Sequence, residues 1–246
     1  MNQSGIRALS GISLLLAPLL LSQGLWVRWR TPRLPGAAGP DTGTVEAAGA
    51  AFRLLALGES TVAGIGAPTH HEALTGQVAA SLAYRLKRTI HWRAAGQNGL
   101  TAHRLLIELV PSLPDEKADA IVIALGVNDV LSLSSAAKWT GDLTALITAV
   151  RSRCGHAPVV LAGVPPMNHF PALPQPLRTV LGQRSQILDE AAAQLALRLA
   201  EVIHAPMNFA GGAEFFCADR FHPSTLGYKM WGEHLAQTIA AFTQRL

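Results

Sequence analysis

Residues Ala120–Leu125 read AIVIAL and are followed directly by Gly126-Val127-Asn128-Asp129. Six apolar residues in succession, ending at a glycine, are typical of a strand that is buried on both faces of a sheet. Shorter or weaker runs of the same kind recur along the chain, at 52–57, 90–95, 159–163 and 201–205. The sequence therefore predicts five strands, of which AIVIAL is the strongest.

Segments with the spacing of amphipathic helices separate or follow these strands, at 77–88, 102–110, 135–153, 177–200 and 224–246. Strands that alternate with helices predict a parallel sheet with helices on both faces. The expected fold class is α/β, a three-layer α/β/α sandwich around a mostly parallel five-stranded sheet. In such a sheet, functional side chains gather where strands end and loops begin.

Composition indicates one folded domain with a large core, since 49% of the 246 residues are hydrophobic and 15% are charged. The net charge of +4 comes from the N-terminal region, because four arginines precede the first acidic residue, Asp41. From Asp41 onward, the 16 remaining basic residues stand against 16 acidic ones. Because the domain carries no basic stripe, we expect no nucleic-acid partner.

The N-terminal region predicts membrane association. Residues 8–27 carry no charge, and a run of about 20 such residues is just long enough to span a bilayer. Arg28, Arg30 and Arg33 follow, which favours a cytoplasmic body if the segment spans. Two alternatives stay open: a cleaved signal peptide, which would give a periplasmic or secreted protein, and a buried helix of a soluble protein. The side of the membrane is not fixed by the sequence.

The chain is divided accordingly into an anchor or signal segment at 1–30, a linker at 31–50 and a domain at 51–246. The linker is inferred from a composition rich in proline, glycine and alanine. Cys154 and Cys217 match no metal or redox spacing, so two unpaired thiols are expected, and a disulfide between them stays open as the alternative. No glycine motif for binding a nucleotide or dinucleotide phosphate occurs.

Four polar motifs stand where this fold would place a site. Ser60 follows the first strand, Gly99 follows the second, and Asn128 follows AIVIAL. Asp219 and His222 precede the closing helix, and their spacing lets the carboxylate reach the imidazole. Each motif taken alone is also an ordinary turn or helix cap.

In this order, the four motifs resemble the four blocks of the SGNH hydrolase superfamily, also called GDSL-type esterases and lipases. The resemblance extends over about residues 52–245, and Val164-Pro165-Pro166 looks like the intervening block. It implies a flavodoxin-like sheet. One departure is visible: the family usually has Gly-Asp-Ser, whereas this chain has Gly58-Glu59-Ser60.

The resemblance also implies the roles of these residues. Ser60 would be the nucleophile, His222 its general base, and Asp219 the group that orients the imidazole. The backbone N–H groups of Ser60 and Gly99 and the side-chain amide of Asn128 would form the oxyanion hole. No metal or organic cofactor would be required. 

His169 and Phe170 lie in the long proline-rich segment 165–176. We expect these two residues to border the substrate pocket.

The expected activity is hydrolysis of carboxylic esters through an acyl-serine intermediate. The substrate would be a small-molecule or lipid ester, as for an esterase, lipase or lysophospholipase-like enzyme. One alternative is an O-deacetylase of carbohydrate or peptidoglycan. A second is a membrane-tethered binding domain on an inactive hydrolase fold, which the presence of all four polar motifs argues against. Acyl length and alcohol group are not fixed by the sequence.

Overall fold

The computed structural model describes residues 17–207 and 212–243. Its strands are β1 (Thr42–Val45), β2 (Gly49–Gly58), β3 (Arg88–Gly96), β4 (Ala120–Ala124), β5 (Val159–Ala162) and β6 (Val202–Ala205). Its α-helices are α1 (Ala17–Arg30), α2 (Leu74–Leu86), α3 (Ala102–Arg104), α4 (Val127–Leu131), α5 (Ala136–Cys154), α6 (Leu177–Ala196) and α7 (Thr225–Thr243). A π-helical turn, Leu105–Leu109, continues α3.

The strands form one sheet in the order β1-β3-β2-β4-β5-β6. All neighbouring pairs are parallel except β1 with β3. AIVIAL supplies β4, and all five residues of that strand are buried. The α/β prediction is confirmed, although the sheet has six strands instead of five.

The sixth strand lies inside the segment that composition predicted to be a linker. Thr42–Val45 pairs with residues 90–93 of β3. Gly43 permits this pairing, because a Cβ there would lie 2.4 Å from the Trp92 ring. Ahead of it, the N–H groups of Ala37 and Ala38 bond the carbonyls of Ala63 and Pro68. Part of 31–50 is therefore attached to the body, and the linker interpretation is wrong for that part.

Two apolar clusters cover the two faces of the sheet. On one face, β-strand side chains pack with α2 and α7, and Tyr228 donates its hydroxyl to the Ile65 carbonyl at 2.8 Å. On the other face they pack with α5 and α6, where Trp139 Nε1 donates to the Leu188 carbonyl at 3.0 Å. These layers hold the carboxyl ends of β2, β4 and β5 together at one edge of the sheet.

Helix α1 packs on the body at one side and is exposed at the other. Val27 is buried in the α5–α6 cluster. The Gln23 side chain donates to the Gln175 carbonyl and accepts the Leu177 N–H. Within residues 17–207 and 212–243, no helix is both long enough and apolar enough to cross a membrane. Residues 1–16 of the predicted anchor lie outside the described residues, and membrane association stays a prediction.

Candidate active site

Ser60 stands in the sharp turn that follows β2. The ladder continues one residue past Gly58, where the Glu59 N–H donates to the Ala124 carbonyl at 3.3 Å. The chain then coils back, and the Ser60 carbonyl accepts the Ile65 N–H at 2.9 Å. Only glycine fits at position 58, because a Cβ would lie 2.3 Å from the Ala124 oxygen. This close packing places Ser60 at the end of a central strand, beside a cavity that it lines.

His222 and Asp219 form a hydrogen-bonded pair in the loop before α7. His222 Nδ1 lies 2.6 Å from Asp219 Oδ2. Asp219 Oδ1 accepts the N–H groups of Phe221 and His222 at 2.9 and 3.0 Å. Burial alone would raise the pKa of Asp219, but these hydrogen bonds hold that pKa below its usual value. With Nδ1–H donated to an ionised carboxylate, the neutral imidazole keeps the lone pair of a base on Nε2.

Ser60 and His222 line the same cavity, which has a volume of about 650 Å³ including its open mouth. In the described ranges, no hydrogen bond joins the Ser60 hydroxyl to the imidazole. Such bonds are often long in unliganded enzymes and tighten when substrate binds. Ser60 and His222, the predicted nucleophile and base, therefore lie at the same largely apolar cavity.

Both predicted pocket residues also line this cavity. His169 is exposed at the end of a short 3₁₀ turn, whereas Phe170 is buried. The Phe170 ring meets the rings of Phe216 and Phe221 edge-on, with centroids 5.4 and 5.0 Å away. Sequence reasoning missed these partners and Trp231, which lines the cavity from α7. The aromatic residues flanking Asp219 and His222 in the sequence were the available signal.

The remaining predicted oxyanion donors are placed differently. Gly99 adopts a left-handed φ of +85°, with no atom within 4 Å of where a Cβ would stand. Asn128 lies in the first turn of α4, where its side-chain amide donates to the Glu59 carboxylate and to the Leu100 carbonyl. Of the described residues, neither Gly99 nor Asn128 is among those that line the cavity.

Two buried carboxylates connect the three strand-end loops. Glu59, from the Ser60 turn, accepts the N–H groups of Val127 and Asn128 at 2.9 and 3.1 Å. Asp129, from α4, accepts the Ala102 N–H at 3.1 Å, which ties α4 to the Gly99 loop. Burial raises the pKa of Glu59 to about 8 and that of Asp129 to about 6. In the sequence, Glu59 is visible only as a departure from the usual Gly-Asp-Ser motif, and these contacts could not be predicted from it.

No group of three or more histidine, cysteine or acidic side chains that could hold a metal ion occurs among the described residues. What the cavity does present is a hydroxyl, a carboxylate-bound imidazole and an apolar wall. This combination can form and break an acyl–oxygen bond by nucleophilic catalysis.

Comparison with known proteins gives consistent matches. The model of the GDSL-like Lipase/Acylhydrolase family matches residues 56–230. The GDSL-like esterase Rv1075c of Mycobacterium tuberculosis (strain ATCC 25618 / H37Rv) is 26% identical over 202 residues, which are 78% of this chain and 63% of that protein. The matched region thus covers less than two thirds of that relative's length.

Solved structures share the fold. The crystal structure of TesA has a TM-score of 0.61 at 22% identity, covering 76% of this chain and 97% of TesA. Est24, a carbohydrate acetylesterase from Sinorhizobium meliloti, has a TM-score of 0.56 at 18% identity, covering 78% of this chain and 99% of Est24. At these identities the likeness concerns the fold alone.

Proposed function

Because the chain belongs to the GDSL-like lipase/acylhydrolase family, we propose that it hydrolyses carboxylic esters through an acyl intermediate on Ser60. The observation that carries this proposal is the shared cavity of Ser60 and His222, with His222 bonded to Asp219 at 2.6 Å. A nucleophile, a base and an orienting carboxylate are the three groups that serine catalysis requires.

The proposed reaction has two halves. His222 Nε2 removes the proton from the Ser60 hydroxyl as Oγ bonds to the ester carbonyl carbon, and the imidazolium is stabilised by Asp219. The alkoxy group then leaves with the proton from His222. In the second half, His222 activates a water molecule, which releases the acid and restores Ser60.

The tetrahedral intermediate carries a negatively charged oxygen. We propose that this oxygen accepts hydrogen bonds from the backbone N–H groups of Ser60 and Gly99 and from the Asn128 side-chain amide. One donor of this kind is worth about 3–4 kcal/mol of barrier. Asn128 is bonded to Glu59, the residue before Ser60, although neither Gly99 nor Asn128 is among the described residues that line the cavity.

The cavity wall favours an apolar acyl group. Phe170, Phe221 and Trp231 line it, and the imidazole stands among them. Aromatic rings offer apolar contact area to an acyl chain without a cost of desolvating polar groups. The preferred substrates are therefore small-molecule or lipid esters, with His169 and Phe170 contacting the acyl group.

The decisive assay follows hydrolysis of p-nitrophenyl acetate, butyrate, octanoate and palmitate by the full chain, by Ser60→Ala and by Ser224→Ala as a matched serine control. We expect turnover that depends on acyl length and is lost only in Ser60→Ala. Activity confined to acetate would favour an O-deacetylase. A folded chain that hydrolyses none of these esters would contradict the proposal and favour a binding domain.

We also propose that α1 attaches the protein to a membrane surface. Leu21, Leu25 and Trp29 are 69%, 70% and 79% exposed at four-residue spacing, on the side opposite to Val27. Arginines 28, 30 and 33 beside them suit anionic headgroups. Co-sedimentation of the full chain with vesicles of phosphatidylcholine, with and without phosphatidylglycerol, tests this. Equal recovery in the supernatant with and without vesicles would contradict it.

A further inference from the structure

Glu59 connects the nucleophile turn to the proposed oxyanion donor. It precedes Ser60 directly and is only 3% exposed. Its carboxylate accepts three hydrogen bonds, all from the start of α4: the N–H of Val127, the N–H of Asn128 and the side-chain amide of Asn128. Hydrogen bonds to an ionised acceptor are stronger and more directional than bonds between neutral groups. The orientation of the Asn128 amide is thus tied to the Glu59 carboxylate.

We propose that Glu59 is a positioning residue, which holds the Asn128 amide ready to donate to the oxyanion, so that turnover depends on the charge and length of the Glu59 side chain. This inference rests on the proposed ester hydrolysis. Glu59, which replaces the usual aspartate of Gly-Asp-Ser, would then have a role that the family resemblance does not specify for this chain.

The two N–H bonds of the Asn128 amide are not equivalent. One goes to the buried carboxylate, and the other to the Leu100 carbonyl at 3.2 Å, the long end of the usual range. A neutral carbonyl is the weaker acceptor of the two. When the ester carbonyl becomes an oxyanion, the Asn128 amide exchanges Leu100 for that oxygen while it remains bound to Glu59.

The hydrogen-bond pattern also indicates which charge state of Glu59 positions the Asn128 amide. Of the described residues, three donors and no acceptor bond to the carboxylate, which suits the ionised form, because a protonated carboxyl needs an acceptor for its O–H. Burial nevertheless raises the pKa of Glu59 to about 8, the three hydrogen bonds oppose the rise, and the buried Asp129 on α4 adds to it. Among the described residues, the other titratable side chains that line the cavity are those of His169 and His222. We therefore expect kcat to depend on the ionisation of the Glu59 carboxyl.

The first test compares Glu59→Gln and Glu59→Asp with Glu72→Gln. Glu72 is a matched control, because it undergoes the same loss of charge, accepts a hydrogen bond from the Thr69 hydroxyl and is not among the described residues that line the cavity. In Glu59→Gln an amide N–H would face a backbone N–H, so we expect kcat to fall about 100-fold with KM changed less than about threefold. Glu59→Asp keeps the charge and should stay within about tenfold of the original kcat.

The pH profile separates positioning from a purely structural role. For the unaltered chain and Glu59→Asp, we expect kcat to rise through an additional step near the raised pKa of the carboxyl at position 59. That extra step should be missing in Glu59→Gln. An unchanged profile in Glu59→Gln, or a kcat equal to that of Glu72→Gln, would overturn the proposal.

A double-mutant cycle tests whether Glu59 acts through Asn128. Asn128→Ala should lower kcat about 100-fold or more, and Glu59→Gln added to it should cost at most about threefold further. Losses that multiply would overturn the proposal. If Glu59→Gln fails to fold, the same cycle is run with Glu59→Asp. An unaltered chain that hydrolyses no ester would instead mark the failure of the proposed function.

Discussion

Among the described residues, two histidine–aspartate pairs have nearly the same nitrogen–oxygen distance but use different ring nitrogens and have different surroundings. His222 Nδ1 lies 2.6 Å from Asp219 Oδ2, and His204 Nε2 lies 2.7 Å from Asp189 Oδ1. All four side chains are at least partly buried, with exposed fractions between 0% and 26%. Only the first pair has a histidine in the wall of the cavity that Ser60 lines.

The second pair connects structural elements. His204 belongs to β6 and Asp189 to α6, and Asp189 Oδ1 also accepts the Val164 N–H at 2.8 Å. Val164 directly precedes Pro165 and Pro166, which line the cavity. A carboxylate that orients an imidazole is therefore no sign of catalysis by itself. The histidine of such a pair is a candidate general base only where its imidazole lies in the same cavity as a nucleophile.

The sharpest way to break this comparison is to remove each histidine in turn. We expect His222→Ala to lower kcat for p-nitrophenyl esters at least about 10⁴-fold, because no base remains for Ser60. His204→Ala should leave kcat within about tenfold, since it alters only the support of the Val164 loop. Equal losses in the two variants would show that the distinction between the pairs is wrong.

Removing the charge of each aspartate should lower kcat by smaller amounts, and the two pairs should again differ. Asp219→Asn should lower kcat about 10³-fold, because an amide stabilises neither the correct tautomer nor the imidazolium. Asp189→Asn should lower it less than about tenfold. Steady-state kinetics of both variants at several pH values would check this, and an Asp219→Asn enzyme with full activity would remove the carboxylate from the mechanism.

The second pair, which should matter little for turnover, should contribute to the stability of the fold. His204→Ala removes a hydrogen bond of 2.7 Å from a partly buried carboxylate, so we expect it to lower the free energy of unfolding by about 1–2 kcal/mol. Urea titrations of this variant and of His91→Ala, an exposed strand histidine, provide the measurement and its control. A loss no larger than that of the control would mean that the second pair does not stabilise the loop.

The smallest expected effect is on acid stability. The hydrogen bonds of Asp219 lower its pKa in the folded chain, so its ionised form stabilises the fold. This contribution is complete above the pKa of the unfolded state, near 4, and is lost as the pH falls through the lower folded value. The free energy of unfolding should therefore fall less steeply on acidification in Asp219→Asn than in the unaltered chain. Equal slopes would contradict the lowered pKa.

Much of the fold could be predicted because its signals are local. An unbroken apolar run such as Ala120–Ala124, ending at a glycine, is typical of a buried strand, and the structure has a strand there. The three-residue spacing of Asp219 and His222 likewise brings the carboxylate to the imidazole within one loop. Ser60, after the first of the predicted strands, and His222, in the loop before the closing helix, line the same cavity.

What escaped prediction depends on contacts between distant residues. Thr42–Val45 looks like linker in isolation, and it becomes a strand because β3 offers it a free edge and Gly43 fits over Trp92. The bond between His204 and Asp189 joins residues 15 apart on different elements. The bonds from Asn128 to Glu59 span 69 residues. No periodicity in the sequence reports contacts of these kinds.

The assignment of Ser60 as the nucleophile is tested most directly by labelling the full chain with a fluorophosphonate and mapping the adduct by mass spectrometry. One equivalent of label on Ser60, formed slowly or not at all in His222→Ala and at a normal rate in His204→Ala, is the predicted result. No adduct on the folded chain, or an adduct on another residue that persists in Ser60→Ala, would contradict it.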